Sequence, residues 1–305
     1  MVEEEWGEIM NFALLRCCTT PIFLKQYETS TNAVLEKFAI GTEGDSEFNC
    51  CGYPLRNFSH KAYLLASARN LALAERKGLD MLTVCNCCYG SLKHAEHTLR
   101  EDAAVGEEIR KTLAGEGLSY DGAITAKHLL EVLYHDVGID RIKKKLKKTY
   151  RGLKIATHYG CHILRPREIV QFDSPFAPVK FDHLVAATGA ESIPWSAKLE
   201  CCGSPLLGIN DELSTGLTAK KLAGARQAGA DYLCVACSYC QIQFDRVQEM
   251  MLKRPGTDRP LPSVLYTQLL GLCLGIDEEL LGLTMNQLPA SGIEDYLHQA
   301  PEVQN

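Results

Sequence analysis

The sequence lacks the motifs that would assign it to several common enzyme classes. It has no GxGxxG pattern after a predicted strand, and so no signal for a dinucleotide-binding fold. It has no GxSxG or HExxH pattern, which mark α/β-hydrolases and zinc-dependent proteases. The CxxCxxCxxxCP run that binds ordinary ferredoxin clusters is also absent. Any chemistry must therefore depend on a different set of residues.

Long apolar runs are missing as well. The first residues, MVEEEWGE, are acidic, so we expect no secretory signal. The longest apolar stretches, such as the one around Cys273, are far shorter than the roughly 20 residues of a membrane-spanning helix. A net charge of −6 argues against bulk binding of nucleic acid. We therefore expect a cytoplasmic protein with no nucleic-acid partner and no membrane span.

Cysteine, in contrast, is abundant, at 14 of 305 residues. A chain of this length can bury a large apolar core and does not need disulfides for stability. Disulfides are also rare in a reducing compartment. The cysteine content therefore indicates metal binding or redox chemistry.

The chain contains an internal duplication. Residues 50–84 and 201–235 align without a gap at a constant offset of 151. The matched motif residues are Cys50, Cys51, Gly52 and Pro54 in the first copy, and Cys201, Cys202, Gly203 and Pro205 in the second. We therefore divide the chain into a first CCG repeat with a helical linker, residues 1–150, and a second CCG repeat with a C-terminal tail, residues 151–305.

The repeat has a readable secondary structure. Apolar residues at helical spacing follow each CCG motif, and a short apolar run that reads as a buried strand follows each helix. Further strands are predicted around 12–15 and at 153–158. This alternation predicts an α/β fold of two tandem homologous halves, each with a small, mainly parallel sheet. Residues 124–150 predict two helices interrupted at Gly138, and residues 286–305 predict a tail.

Five cysteines recur at the same places in each half: a single cysteine, a CC pair and a CxxC. The first thiol set is Cys18, Cys50, Cys51, Cys85 and Cys88; the second thiol set is Cys161, Cys201, Cys202, Cys237 and Cys240. Thiolates are the soft ligands that iron–sulfur clusters need. Five thiolates exceed the four of a tetrahedral zinc site, which favours a polynuclear cluster over structural zinc.

Other residues near the motifs allow several interpretations. Cys17, Cys87, Cys234 and Cys273 have no counterpart in the repeat and are interpreted as core or bystander residues. Cys17 could nevertheless replace Cys18 as a ligand, because the two are adjacent. His158 and His162 flank Cys161 and are candidates for hydrogen bonds to a cluster.

The phrases CCGYP, CNCCY, HYGCHILRP, CCGSP and CSYC resemble the duplicated CCG-domain family, which includes the cysteine-rich subunit of heterodisulfide reductase from methanogenic archaea. The resemblance covers roughly residues 10–285. It implies a non-cubane 4Fe–4S cluster on each thiol set. It also favours Cys18 over Cys17, because Pro21 lies three residues after Cys18, where the family's proline usually falls. Cys87 is a departure, since the family usually has glycine there.

The resemblance also implies a reaction: the mixed disulfide of coenzyme M and coenzyme B is cleaved to two thiols, with one electron from each cluster. The implied partners are two other subunits of the same complex, one a ferredoxin-like iron–sulfur protein and the other a flavoprotein. The substrate's sulfonate and phosphate call for nearby cations, and the candidates are Arg16, Arg56, Lys93, Arg165 and Arg167.

Two other functions remain open at this point. The chain could be a non-catalytic electron-transfer subunit of another CCG-containing oxidoreductase, or a zinc-stabilised interaction module. The basic run from Arg141 to Arg151 fits either a solvated helix face, with Ile142 and Leu146 pointing inward, or a docking surface for an acidic partner.

Overall fold

The computed structural model describes residues 10–253 and 259–300. Its strands, in chain order, are β1 (Asn11–Leu15), β2 (Gly41–Glu43), β3 (Met81–Thr83), β4 (Ala126–His128), β5 (Lys148–Tyr150), β6 (Lys154–His158), β7 (Glu191–Ser192), β8 (Tyr232–Val235), β9 (Ser263–Leu265) and β10 (Leu297–Gln299). Two four-stranded parallel sheets have the matching orders β2-β1-β3-β4 and β7-β6-β8-β9. The predicted fold class of two tandem α/β halves is therefore confirmed.

The two sheets share their register as well as their order. Leu15 pairs with Thr83 in the first sheet, and Thr157 pairs with Cys234 in the second. Thr83 and Cys234 are equivalent at the offset of 151, so both copies align their central strands in the same way. Strands β3 and β8 are buried along their whole length, as expected for central strands covered on both faces.

The helices, in chain order, are α1 (Thr20–Phe23), α2 (Lys25–Lys37), α3 (His60–Arg76), α4 (Asn86–Glu101), α5 (Ala103–Gly115), α6 (Leu129–Glu131), α7 (Ile139–Lys145), α8 (Arg167–Val170), α9 (Lys180–Ala187), α10 (Asp211–Gln227), α11 (Ser238–Ile242), α12 (Gln248–Leu252), α13 (Tyr266–Cys273) and α14 (Glu278–Leu281). The repeated helices α3 and α10 both have 17 residues. Their N-terminal caps, Ser59 and Asn210, are also equivalent, and each accepts a hydrogen bond from the backbone three residues later.

The cysteine loops lie at the carboxyl ends of the central strands. Cys17 and Cys18 follow β1, and Cys85 follows β3. Cys161 follows β6, and Cys237 follows β8. Parallel strands end at a common edge of the sheet, which is where α/β proteins generally bind their ligands. The fold therefore brings cysteines that are distant in sequence to one edge of each sheet.

The segment that joins the halves differs from the prediction of two helices. Residues 126–128 form β4, and 148–150 form β5, because each finds a neighbouring strand to pair with. A π-helical turn at Val132–Gly138 precedes α7. Ile142 and Leu146 are buried as expected, although α7 ends one residue before Leu146.

The C-terminal segment is also more ordered than a tail. Residues 297–299 pair antiparallel with β5, and Ile293 is fully buried. Residues 301–305 lie outside the described part of the chain. Because β5 in the joining segment pairs with β10 at the C-terminal end, the division between residues 150 and 151 stays a prediction.

Within residues 10–253 and 259–300, no helix combines the length and the apolar character that crossing a bilayer requires.

Candidate metal centre

The five cysteines of the second thiol set converge at the carboxyl end of its sheet. The Sγ atoms of Cys202 and Cys240 lie 3.7 Å apart. A hydrogen bond from Cys161 is the main cause that lowers the pKa of Cys201 to about 2. Cys237 also forms a hydrogen bond with Cys240, so all five thiols are linked through neighbours. Such a group of mutually stabilised thiolates is suited to bind a metal cluster.

The first thiol set repeats this arrangement. A hydrogen bond from Cys18 is the main cause that lowers the pKa of Cys50 to about 3. Cys51 forms a hydrogen bond with Cys88, as Cys202 does with Cys240. The structure therefore brings all ten predicted cysteines together in two groups. Whether they are the ligands stays a prediction.

Cys17 belongs to the first group as well, and was not expected to be central. Its Sγ atom lies within 4.8 Å of those of Cys85 and Cys88, and the residue is fully buried. Cys18 is exposed. The corresponding group in the second half is His158, Cys202 and Cys240, with His158 Nε2 3.3 Å from Cys240 Sγ.

The comparison of the halves identifies the equivalents of these residues. Cys18 contacts Cys50 as Cys161 contacts Cys201, so Cys18 is the counterpart of Cys161. Cys17 contacts Cys88 as His158 contacts Cys240, at the buried side of each site. Cys17 is therefore an additional thiol where the second half has an imidazole.

The glycine of each CCG motif is required by the helix that packs against it. Gly52 and Gly203 have φ values of 84° and 95°, which L side chains rarely adopt. A Cβ atom on Gly203 would lie 2.3 Å from the carbonyl oxygen of Ser214, and one on Gly52 would lie 2.6 Å from that of Tyr63. The absence of a side chain thus lets α3 and α10 approach the cysteine loops.

The same helices also fix the backbone of the CC pairs. The Ser67 hydroxyl donates to the carbonyl oxygen of Cys51 at 2.6 Å. The equivalent Thr218 hydroxyl donates to that of Cys202 at 3.0 Å. These bonds position the thiols of both pairs at the end of a rigid helix, as a preformed ligand site requires.

The two thiol sets contact each other. Cys85 Sγ lies 3.9 Å from Cys237 Sγ. Cys87, on the first turn of α4, lies 3.3 Å from His162 Nδ1 and lines the cavity of the second set together with Asn86 and Tyr239. The prediction that His158 and His162 lie beside the cysteines is confirmed for the thiols themselves.

The interpretation of the unmatched cysteines therefore holds for only two of them. Cys234 is buried in β8, and the Cys273 thiol donates to the carbonyl oxygen of Thr188 at 3.6 Å, away from both sets. Cys17 and Cys87 lie within the sites. Their positions beside Cys18 and inside the CxxC were the available signals in the sequence.

The candidate substrate-binding cations are dispersed. Arg16 pairs with Glu28 at 2.7 Å, and Lys93 pairs with Glu96. The Arg165 guanidinium donates to the carbonyl oxygen of Leu199. Arg167 begins α8. Arg56 lies 5.5 Å from the centre of the Tyr53 ring, whose hydroxyl is 3.4 Å from His162 Nε2, so Arg56 is the candidate that lies next to a residue of the sites.

The chain matches the cysteine-rich domain model named CCG at residues 13–93 and again at 155–245. It is 36% identical to the corresponding subunit of a ferredoxin/F(420)H(2)-dependent CoB-CoM heterodisulfide reductase of Methanosarcina acetivorans, over 91% of this chain and 94% of the relative. It is 32% identical to the membrane anchor subunit of an 8-methylmenaquinol:fumarate reductase of Wolinella succinogenes, over 92% of this chain and 98% of the relative.

A crystal structure of a hypothetical protein from Helicobacter pylori has the same fold. The TM-score is 0.77 at 19% identity, over 93% of this chain and 53% of the other. At that identity the likeness shows the fold alone. The two CCG matches coincide with the two thiol sets, and the relatives at 36% and 32% identity extend over nearly the whole chain. The chain therefore belongs to the family of cysteine-rich CCG-domain oxidoreductase subunits that includes the CCG-domain subunit of heterodisulfide reductase.

Proposed function

We propose that this chain is the catalytic subunit of a heterodisulfide reductase. It cleaves the mixed disulfide of coenzyme M and coenzyme B to two thiols, with two electrons and two protons taken up for each disulfide. The observation that carries this proposal is the contact between the two thiol sets, at Cys85 and Cys237. Two one-electron centres side by side suit a substrate that must take up two electrons.

We propose that each thiol set holds a non-cubane 4Fe–4S cluster. The first is held by Cys18, Cys50, Cys51, Cys85 and Cys88, and the second by Cys161, Cys201, Cys202, Cys237 and Cys240. The lowered pKa values of Cys50 and Cys201 support this, because the thiolate is the form that binds metal. When bound, each cluster supplies one electron to the disulfide.

The proposal is tested with anaerobically purified, reduced protein. Addition of one equivalent of the disulfide should oxidise the clusters and release two thiols. A Cys202→Ala variant is the matched control, and it should not release two thiols in a single turnover. Absence of thiol release from the fully loaded, reduced chain would contradict the catalytic assignment.

A second candidate function is electron transfer without substrate contact, in a CCG-containing oxidoreductase of another kind. The relative from Wolinella succinogenes favours it, because that protein is named as part of a fumarate reductase. Clusters that form and are reduced, but are not oxidised by the disulfide, would support this function. Zinc without acid-labile sulfide would instead support a zinc-stabilised interaction module.

We propose that the chain works in the cytoplasm, in a complex with a ferredoxin-like iron–sulfur subunit and a flavoprotein subunit. The sequence has no dinucleotide motif of its own, so electrons must arrive through another protein. The exposed Lys143, Lys144, Lys147 and Lys148 form a basic surface that suits an acidic partner. Co-purification from the native cell tests the complex, and its salt sensitivity tests the basic surface.

A further inference from the structure

The two sites differ in one buried charge. Asn70 on α3 and Lys221 on α10 are equivalent at the offset of 151, and both are fully buried. Each lies one turn after the hydroxyl residue, Ser67 or Thr218, that holds the CC pair. The repeat therefore places a neutral amide behind the first thiol set and an ammonium group behind the second.

Asn70 and Lys221 make the same structural contact. The Asn70 side-chain amide donates to the carbonyl oxygen of Asn49 at 3.0 Å, immediately before the first CC pair. The Lys221 ammonium donates to the carbonyl oxygen of Glu200 at 3.1 Å, immediately before the second. The anchoring of the loop thus does not require a charge, because a neutral amide performs it in the first half.

The Lys221 ammonium is held in place on all sides. Besides Glu200, it donates to the carbonyl oxygen of Ala197, and it lies 4.7 Å from the centre of the Trp195 ring. These partners are two carbonyl oxygens and an aromatic face, and none of them carries a negative charge. The carboxylate of Glu200 is instead engaged at the surface, by Lys220 at 3.0 Å.

The uncompensated charge acts on the second thiol set. Burial lowers the pKa of Lys221 to about 8, and the charges of Cys202 and Cys240 oppose that effect. Among the lysines and arginines of residues 10–253 and 259–300, Lys221 alone is fully buried. A charge in the protein interior is screened much less than one at the surface, so its field reaches the second set with little loss.

We propose that Lys221 makes the second cluster the easier of the two to reduce, so that the first electron to reach the chain resides there. This inference rests on the proposed presence of a cluster on each thiol set. Reduction adds one negative charge, and a fixed cation stabilises the reduced form more than the oxidised form. Net charge near a cluster is one of the factors that set its potential. The first thiol set has no equivalent cation at Asn70.

A spectroscopic redox titration of the loaded full-length protein tests this. Dithionite supplies the electrons, and Cys202→Ala identifies the signals of the second cluster by their loss. The signal with the higher midpoint potential should be the one that disappears. If the signal with the lower potential disappears, the inference is overturned. Protein without iron and sulfide would instead contradict the proposed function.

The role of Lys221 is tested by Lys221→Gln, which places an amide where the first half has one. The midpoint of the second cluster should shift to a more negative potential, with that of the first unchanged and the iron content retained. The matched control is Lys220→Gln, which removes the same charge from the exposed neighbour and should shift neither midpoint. Equal shifts in both clusters, or none, would overturn the assignment. If Lys221→Gln loses its cluster, the order of potentials in the wild-type protein decides.

Discussion

The Sγ atoms of Cys85 and Cys237 lie 3.9 Å apart, although the two residues are 152 positions apart in the chain. They are also equivalent in the duplication, since each begins the CxxC of its half. The two halves therefore face each other with the same edge. This arrangement turns a duplicated motif into one composite site, because ligands from both halves lie within contact distance.

The first prediction concerns the independence of the two thiol sets. Cys202→Ala should remove the second cluster and leave the first, so the iron content should fall about twofold. The reason is that each half supplies its own strands, helix and thiols. Iron and sulfide analysis, with circular dichroism to confirm folding, measures the outcome.

Cys234→Ala is the control for Cys202→Ala, because it removes a thiol that is buried in β8, away from both sets. Its iron content should equal that of the wild-type protein. If Cys202→Ala abolishes both clusters, the contact at Cys85 and Cys237 makes the sites mutually dependent and the two-module picture is wrong.

The second prediction distinguishes the adjacent thiols of the first half. Cys18→Ala should lose the first cluster, because Cys18 contacts Cys50 as Cys161 contacts Cys201. Cys17→Ala should keep its iron but change the electron paramagnetic resonance signal of the first cluster, because Cys17 lies beside Cys85 and Cys88. Loss of iron in Cys17→Ala, together with retention in Cys18→Ala, would reverse the assignment.

Much of the fold could be predicted because the duplication repeats local signals. The strands around 12–15 and 153–158, the repeated helix and the strands after Gly78 and Gly229 each carry a hydrophobic pattern of their own. Strands β4, β5 and β10 were missed because they have only three residues each. Segments of that length are defined by the strands beside them and not by periodicity.

The cysteines of the site could be predicted from spacing, whereas their surroundings could not. Spacing identifies equivalent positions, but says nothing about which residue of another element lies behind them. Lys221 reads as one of several lysines on a helix, and its burial follows only from the packing of α10 against the loop at Glu200. Cys87 likewise reads as a member of the first half, although it lines the cavity of the second set.

The third prediction concerns the glycine of the second CCG motif. Gly203→Ala should destabilise the protein by about 3 kcal/mol, because the backbone conformation is unfavourable for alanine and the new Cβ atom meets the backbone of Ser214. Gly208→Ala is the matched control: its φ is 81°, but nothing lies within 4 Å of the added atom. It should cost only about 1 kcal/mol. Urea unfolding of both variants measures the difference, and equal costs would rule out the steric contribution.

The fourth prediction is a dependence of stability on pH that arises at His128. This residue ends β4 and is fully buried, with its ring between Tyr89 and Phe172. Burial lowers the pKa of His128 to about 4, against about 6.5 for an exposed histidine. Between these values the unfolded chain binds a proton that the folded chain does not. The free energy of unfolding should therefore fall as the pH decreases from 6.5 to 4, by about 3 kcal/mol from this residue.

The matched variant is His128→Asn, because an asparagine side chain can still accept the hydrogen bond that His128 Nδ1 receives from the backbone amide of Leu130. The variant loses ring contacts, so its unfolding free energy should be lower than that of the wild-type protein at pH 7. It gains no proton on unfolding at this position, so the gap between the two proteins should narrow as the pH falls toward 4. Urea unfolding at a series of pH values measures both curves. The other histidines and the carboxylates titrate in both proteins, so the difference between the curves isolates His128. Two parallel curves would show that a charged imidazole is tolerated at the end of β4.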